Sequence, residues 1–408
     1  MKNRWFIVLS AIGIHISIGS VYAYSVMANP VKDILGVDRS SVNWAFKLAI
    51  LSLGISAAFL GKWVEKVGPR KSGITAGILY GTGILGCGLS IYTQSLMLFY
   101  LFYGIIGGIG LGIGYITPVS TLVRWFPDKK GLATGMAIMG FGFSALIFGP
   151  LMQVLFESIG VVNSFYVLGT IYIVLIIVSS LYIEKPPEGY IPEGYKEKIT
   201  KKTINSSYAD ITANQAFKTK RFYYILIMMF INISCGIAII ASASPMMQEK
   251  LNYTAIQAAA IVGFIGVFNG LGRIFWSSLS DYLGRVNVYI FFFVFQTIAF
   301  FFLPKLSTEI LFLLTLFTIL TMYGGGFALL PAFLGDIFGT KQLGAIHGMI
   351  LIAWGVAGVV GPTIYEVLMK KTGSLDDTLM VFSGLFIIAL ITSVLMKLSI
   401  KRDAKKFT

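Results

Sequence analysis

The chain has 408 residues, of which 56% are hydrophobic and only 12% are charged, and its formal net charge is +14. Soluble proteins of this size carry about twice that share of charged residues, so this composition cannot cover a water-facing surface. It excludes a soluble globular protein and predicts an all-α membrane protein. We expect no nucleic-acid partner, because the basic residues alternate with apolar runs and form no basic domain.

Apolar runs long enough to cross a bilayer recur along the chain, and each is continuous rather than alternating. Twelve transmembrane helices are predicted, at roughly 5–27, 44–62, 73–93, 97–122, 133–154, 163–183, 222–244, 255–277, 287–304, 308–331, 346–367 and 378–397. The first run is too long for a signal-peptide core, which favours a retained span. Cys87 and Cys235 lie within runs, and we expect them to pack helices rather than form a disulfide, a metal site or a redox pair. No cofactor is expected.

The distribution of positive charge predicts the orientation. Of the 32 lysines and arginines, 24 lie in the N-terminus, the C-terminus and the loops that follow even-numbered spans, and 6 lie in the opposite loops. Both termini are therefore predicted to be cytoplasmic. No N-terminal organelle-targeting signal is recognisable, which favours the plasma membrane of a prokaryote, its inner membrane.

A polar, Pro-containing segment divides the spans six from six. It begins "EKPPEGYIPEGYKEK" at Glu184. We expect a first six-helix half over 1–183, a cytoplasmic linker over 184–220 and a second six-helix half over 221–408.

The two halves repeat. Glu65 and Gly68 after span 2 match Asp281 and Gly284 after span 8 at one offset, 216 residues. "RWFPDKKG" after span 4 matches "DIFGTKQLG" after span 10. Parallel repeats of this kind predict a substrate site at the interface of the halves, near the middle of the bilayer.

One arginine lies where lipid-spanning sequence should be apolar, in "VFNGLGRIFW". Arg273 is about one turn from the end of span 8, so its side chain could extend to the headgroups. The alternative is an anion site, because a guanidinium fits a carboxylate with two parallel hydrogen bonds. Asn269 is four residues earlier on the same helical face and can orient Arg273. No Asp or Glu lies deep within any span; Glu366, near the end of span 11, comes closest.

Several stretches carry a family resemblance. "GKWVEKVGPRK", from Gly61, is a variant of the loop signature of the major facilitator superfamily, from which it departs at Glu65, Lys66 and Pro69. "GSVYAYSV", "RWFPDKKGLATG", "NGLGR" and "AWGVAGVVGP" resemble the oxalate/formate exchanger branch and related bacterial monocarboxylate (lactate/pyruvate) transporters. The resemblance implies a twelve-helix secondary transporter whose two halves are related by a pseudo-two-fold repeat.

The resemblance also implies a role for Arg273. In the monocarboxylate transporters an arginine of span 8 holds the carboxylate. Animal members place an aspartate that takes part in proton coupling one turn earlier, where this chain has Asn269, which cannot titrate. The oxalate/formate exchangers add a lysine in span 11, where this chain has Trp354. One buried cation suits one carboxylate, because a second carboxylate would remain unpaired in a medium of low dielectric constant.

Aromatic residues and one histidine complete the candidate site. We assign substrate contacts to residues of spans 1, 4, 10 and 11, each of which can instead be a packing residue: Tyr22, Tyr115, Tyr323, Phe327 and Trp354. His15 is the candidate proton carrier, since histidine titrates near neutral pH. The alternative for His15 is a neutral ring bonded to a helix neighbour. His347 is interpreted as structural.

Four charged loop residues, Glu65, Lys66, Asp281 and Arg285, are expected to form cytoplasmic contacts. In the superfamily such contacts latch one conformational state. We therefore expect them to affect the transport rate rather than substrate choice.

The sequence as a whole predicts a monomeric secondary transporter of a small monocarboxylate. Proton symport by alternating access is the leading hypothesis, and oxalate/formate-type exchange is the alternative. A membrane sensor that binds a carboxylate without moving it is a third hypothesis. An enzyme is not expected, because no paired carboxylates, Ser/Lys pair or metal-ligand cluster is recognisable.

Overall fold

The computed structural model describes residues 2–192 and 211–404, so most of the predicted linker lies outside the described residues. Within the described ranges every regular element is helical, and twelve helices are long and apolar enough to span a membrane. This confirms the predicted all-α membrane fold. A short helix, Ala213–Phe217, lies in the described end of the linker and begins with a capping box at Thr212.

Eleven of the twelve helices are longer than the apolar runs that predict them, and the ninth has the same length as its run. They are α1 Arg4–Leu35, α2 Arg39–Val67, α3 Pro69–Tyr92, α4 Leu96–Trp125, α5 Lys130–Ile159 and α6 Val161–Tyr182, followed by α7 Lys220–Leu251, α8 Ala255–Leu283, α9 Arg285–Phe302, α10 Glu309–Phe338, α11 Leu343–Thr372 and α12 Leu375–Ala404. Hydropathy detects only the lipid-facing length, whereas the backbone hydrogen bonds continue through polar turns at each end.

Two helices contain a segment of different pitch. In α1, residues Gly19–Ala23 form a 3₁₀ turn, and in α4, residues Tyr100–Gly107 form a π-helix. Both segments change which side chains share a face, and a simple helical period does not predict them.

The matched glycines of the two repeats have the same backbone role. Gly68 ends α2 with φ 83°, and Gly284 ends α8 with φ 84°. Each is followed at once by the next helix, α3 or α9. Glycine is favoured at both positions because a side chain disfavours positive φ.

The described chain divides into two compact units. The first contains the chain through Pro127 together with Met136–Tyr190 and Gln342–Gly355. The second contains Asp128–Gly135, the chain from Val356, and the described residues between Ile191 and Lys341. Each unit therefore includes the start of one helix from the other half of the sequence, α11 in the first unit and α5 in the second.

Helix pairing within the second unit repeats the pairing within the first. In the first unit α3 packs along α6, and α2 packs along α4; in the second, α9 packs along α12, and α8 packs along α10. Glycines allow the close approach of these helices. A Cβ on Gly110 would lie 2.4 Å from the backbone nitrogen of Tyr80, so the glycine-rich stretch of α4 serves packing, as its composition predicts.

Gly272, beside Arg273, provides a test of this packing. A Cβ there would lie 2.2 Å from the carbonyl oxygen of Thr321 in α10, so Gly272→Ala is expected to lower stability by about 1–3 kcal/mol. Gly263 in the same helix has no atom within 4 Å of its Cβ position, and Gly263→Ala is expected to be neutral or stabilising. Thermal unfolding in detergent measures both. Equal destabilisation by the two substitutions would contradict the assigned α8–α10 contact.

Candidate functional site

Arg273, which lies on α8, is fully buried in the structure. Its side chain is 0% exposed. This excludes a side chain that extends to the lipid headgroups, because such a guanidinium would have to reach the surface. Its Nε donates to Oδ1 of Asn269 over 3.0 Å. Asn269 therefore orients the guanidinium from one helical turn away, as the spacing predicts.

Neighbouring groups on α10 complete the surroundings of this guanidinium. The guanidinium carbon lies 5.6 Å from the ring centroid of Phe327, and the Phe327 ring meets that of Tyr323 edge to face at 5.4 Å. A Cβ on Gly324 would lie 2.2 Å from the carbonyl oxygen of Asn269. Gly324 thus allows α10 to approach α8 where Asn269 holds Arg273. The result is a buried, oriented cation beside aromatic walls, an arrangement suited to a small organic anion.

The remaining predicted residues gather around Tyr115 in the first unit. The Tyr115 ring centroid is 5.2 Å from that of Trp354 and 5.3 Å from that of His15. Phe141 of α5 joins them, with its centroid 5.6 Å from that of Tyr115. Tyr22, half-buried, meets Phe141 at 4.9 Å. The structure therefore brings Tyr22, His15, Tyr115 and Trp354 together, as four members of one aromatic cluster.

Two histidines flank Tyr115, and one of them has an identified backbone contact. His15 is fully buried, and its Nε2 lies 3.2 Å from the carbonyl oxygen of Tyr115, which can accept its proton in the matching tautomer. His347 of α11 is also fully buried, 5.8 Å from Tyr115 between ring centroids. Neither ring nitrogen of His347 has a hydrogen-bond partner among the described residues. Buried polar atoms normally have one, which makes His347 a further candidate functional residue.

The loop aspartate of the second repeat caps a helix. Asp281 accepts hydrogen bonds from the backbone N–H groups of Gly131 and Leu132, at 3.0 and 3.1 Å, where α5 begins. Arg285 pairs with the same carboxylate, and with Asp336 at 3.3 Å. The carboxylate thus satisfies unpaired donors at a helix N-terminus and opposes the positive end of the helix dipole.

The loop glutamate of the first repeat caps a helix in the same way. Oε1 of Glu65 accepts from the backbone N–H of Gly344 at 2.7 Å, where α11 begins. Its other oxygen pairs with Arg124 at 2.7 Å and lies 3.8 Å from Lys185. Gly344 and Gly131 occupy matching positions in the two repeats. Each repeat's carboxylate therefore caps a helix that belongs, in sequence, to the other half.

Three of the four predicted latch residues make these contacts. Lys66 is exposed and forms no ion pair or side-chain hydrogen bond within the described ranges. The sequence did not identify the partners Arg124 and Asp336, although both lie in the repeated stretches "RWFPDKKG" and "DIFGTKQLG". The backbone donors of Gly131 and Gly344 leave no chemical signal in a sequence. Their positions can be found only indirectly, because both stretches end in a glycine at the residue whose N–H donates.

Within the part of the chain that the structure describes, twelve helices of spanning length pack in repeated pairs, as in a multi-pass membrane transporter. The chain belongs to the major facilitator superfamily. The sequence model of that family matches residues 10–362 and 233–406. The expected superfamily is therefore confirmed.

Two of the named relatives below are an oxalate:formate antiporter and a monocarboxylate transporter, the kinds of transporter that the motifs resemble. The chain is 30% identical over 366 residues to the oxalate:formate antiporter of Oxalobacter formigenes, covering 88% of this chain and 84% of the antiporter. It is 26% identical over 364 residues to the uncharacterised MFS-type transporter YhjX of Escherichia coli K12, covering 88% and 86%. It is 25% identical over 322 residues to human monocarboxylate transporter 12, covering 73% and 61%. These relatives are transporters rather than enzymes.

Solved structures give the same fold. The proton:xylose symporter XylE superposes with a TM-score of 0.75 over 95% of this chain and 94% of XylE, at 15% sequence identity. At that identity the likeness establishes the fold alone.

Proposed function

We propose that the protein moves a small monocarboxylate of the lactate/pyruvate type together with a proton, by alternating access. The observation that carries the proposal is the buried guanidinium of Arg273, 0% exposed and held through its Nε by Asn269. A cation this deep in a spanning helix is unfavourable unless it serves a function. In this proposal it binds the substrate carboxylate.

The charge of the site favours one carboxylate over two. Arg273 lies ten residues before the end of α8 at Leu283 and is 0% exposed, whereas Lys47, the other cation inside a predicted span, is half-buried. A dianion would leave one carboxylate without a cation. The aromatic residues Tyr323 and Phe327 in the second unit, and Tyr22, Tyr115 and Trp354 in the first, are proposed substrate contacts.

Exchange of carboxylates without a proton is the second candidate. It is favoured by the 30% identity to an oxalate:formate antiporter and by Asn269, which cannot titrate.

Uptake into proteoliposomes separates the two candidates. Symport predicts that an inward proton gradient drives accumulation of labelled L-lactate into empty vesicles, and that oxalate competes more weakly than pyruvate or formate. Exchange predicts no response to the gradient and uptake only when oxalate or formate is loaded inside. The second result would overturn the proposed symport.

The proton carrier is proposed to be one of the two buried histidines, His15 or His347. Imidazole gains and loses a proton near neutral pH, and both rings lie beside Tyr115. Replacing the carrier by glutamine is expected to remove gradient-driven accumulation while retaining exchange of lactate between the two sides. The other histidine's glutamine variant is the matched control. If both single variants still accumulate lactate with the gradient, the histidine proposal is wrong.

We also propose the orientation that the charge distribution predicts, with both termini in the cytoplasm of a prokaryote. The proposed division into halves is 1–183 and 221–408, and the proposed form is a monomer. Cysteines introduced singly at Lys71 and Lys371, in loops predicted to lie on opposite sides, test the orientation by labelling intact cells with an impermeant maleimide. Labelling of the Lys71 site alone would reverse the proposed orientation.

A further inference from the structure

A second cavity lies away from Arg273 and the Tyr115 cluster, at one end of α7 and α12. Its volume is about 470 Å³, within the range of small-molecule sites. Its lining residues are Thr219, Lys220, Arg221, Tyr224, Leu395, Leu398, Ser399 and Arg402. It lies where the two spans meet water, because one candidate span begins at Lys220 and the other ends at Arg402.

The mouth of this cavity is strongly basic. Three of its eight lining residues are cations, and no acidic residue lines it. Arg221 has a structural role, since its Nε and Nη2 donate to Ser399 at 3.0 and 2.8 Å and join α7 to α12. Lys220 and Arg402 are exposed, and neither pairs with a carboxylate among the described residues. The start of α7 adds the positive end of its helix dipole.

The wall of the cavity is apolar and faces outwards. Leu395 is 43% exposed and Leu398 is 56% exposed, although both lie within a membrane span. Exposed leucines at that depth contact acyl chains. One surface therefore presents cations at the level of the headgroups beside leucines at the level of the first methylenes.

We propose that this cavity binds the phosphate headgroup of an anionic membrane lipid, with Lys220 and Arg402 holding the phosphate. Basic pockets between spanning helices are suited to such headgroups. The adjoining leucines distinguish a lipid from a free phosphate ion, which has no apolar part to place against them.

The test uses the purified full-length protein and native mass spectrometry with equal amounts of phosphatidylglycerol and phosphatidylcholine. The wild type is expected to retain phosphatidylglycerol preferentially. The double variant Lys220→Gln/Arg402→Gln is expected to bind it about tenfold more weakly, because each cation near a headgroup contributes to the attraction. An excess of inorganic phosphate is expected to leave the lipid bound.

A charge-matched control is available on the same helix. Leu395, Leu398 and Arg402 line the cavity, whereas Lys397 and Lys401 lie on the adjoining face of α12 and do not line it. The double variant Lys397→Gln/Lys401→Gln removes the same charge and is expected to bind lipid as the wild type does. If both double variants lost lipid binding equally, the lipid would be attracted by net charge alone, and the proposed site would be wrong. If inorganic phosphate displaced the bound lipid, the cavity would be a site for a free anion, and the lipid proposal would also be wrong. The unfolding midpoint without added lipid confirms that both variants are folded.

Discussion

Proteoliposomes that carry Arg273→Ala should take up labelled L-lactate about a hundredfold more slowly than the wild type. Removing one partner of a buried charge pair typically costs 2–5 kcal/mol, much of it from the charge that remains unpaired. Here that charge is the substrate carboxylate in the proposed complex. The expected change is in uptake at subsaturating lactate, since a carboxylate without a cation must be desolvated without compensation.

Two further variants separate geometry from charge. Arg273→Lys keeps the positive charge but loses the planar fork and the Nε–H that donates to Asn269, so it should recover only a small part of the uptake. Lys47→Gln is the control, because Lys47 is the other cation within a predicted span, and it lies over the ring of Trp44 at 4.9 Å. It should transport within about twofold of the wild type. Normal uptake by folded Arg273→Ala would disprove the role of the arginine.

The sequence predicts two kinds of feature: those that occur in both repeats, and those that differ from the apolar composition of a membrane span. Hydropathy predicts the twelve helices because each span must be apolar over a fixed length. The spacing of four between Asn269 and Arg273 predicts their hydrogen bond because residues four apart share a helical face. Internal repetition predicts that Gly68 and Gly284 have one backbone role, and both take positive φ.

The features that are hidden from the sequence depend on contacts between distant segments. Nothing near His347 along the chain indicates that its ring lies beside Tyr115, since α4 and α11 are far apart in sequence. The carboxylate of Glu65 is visible as a charge, but its acceptor role depends on the backbone N–H of Gly344, 279 residues later. Each loop carboxylate caps a helix from the other half of the sequence. For this reason each compact unit includes the start of one helix from the other half.

The carboxylate caps should control the rate of transport rather than substrate affinity. Asp281→Asn removes the charge that opposes the start of α5 and places an amide donor beside the N–H groups of Gly131 or Leu132, or beside Arg285. Arg285 is then left with Asp336 at 3.3 Å. We expect the maximal uptake rate to fall about tenfold, which corresponds to about 1.4 kcal/mol, a fraction of the 3–5 kcal/mol typical of breaking a buried ion pair.

The repeat supplies a second variant with the same expected result. Glu65→Gln removes the matching cap at Gly344 and the pair with Arg124, so its maximal rate should fall while the lactate concentration for half-maximal uptake stays within about twofold. Glu184→Gln is the control at the same end of the helices, since Glu184 is 43% exposed and pairs with Lys2 at 3.0 Å, a surface contact that contributes little. Initial rates measured against lactate concentration distinguish the outcomes. A rise in the half-maximal concentration at an unchanged maximal rate would place these carboxylates in substrate binding. Because neither Glu65 nor Asp281 contacts the Tyr115 cluster or Arg273 in any described hydrogen bond or ion pair, the expected effect acts on the rate alone.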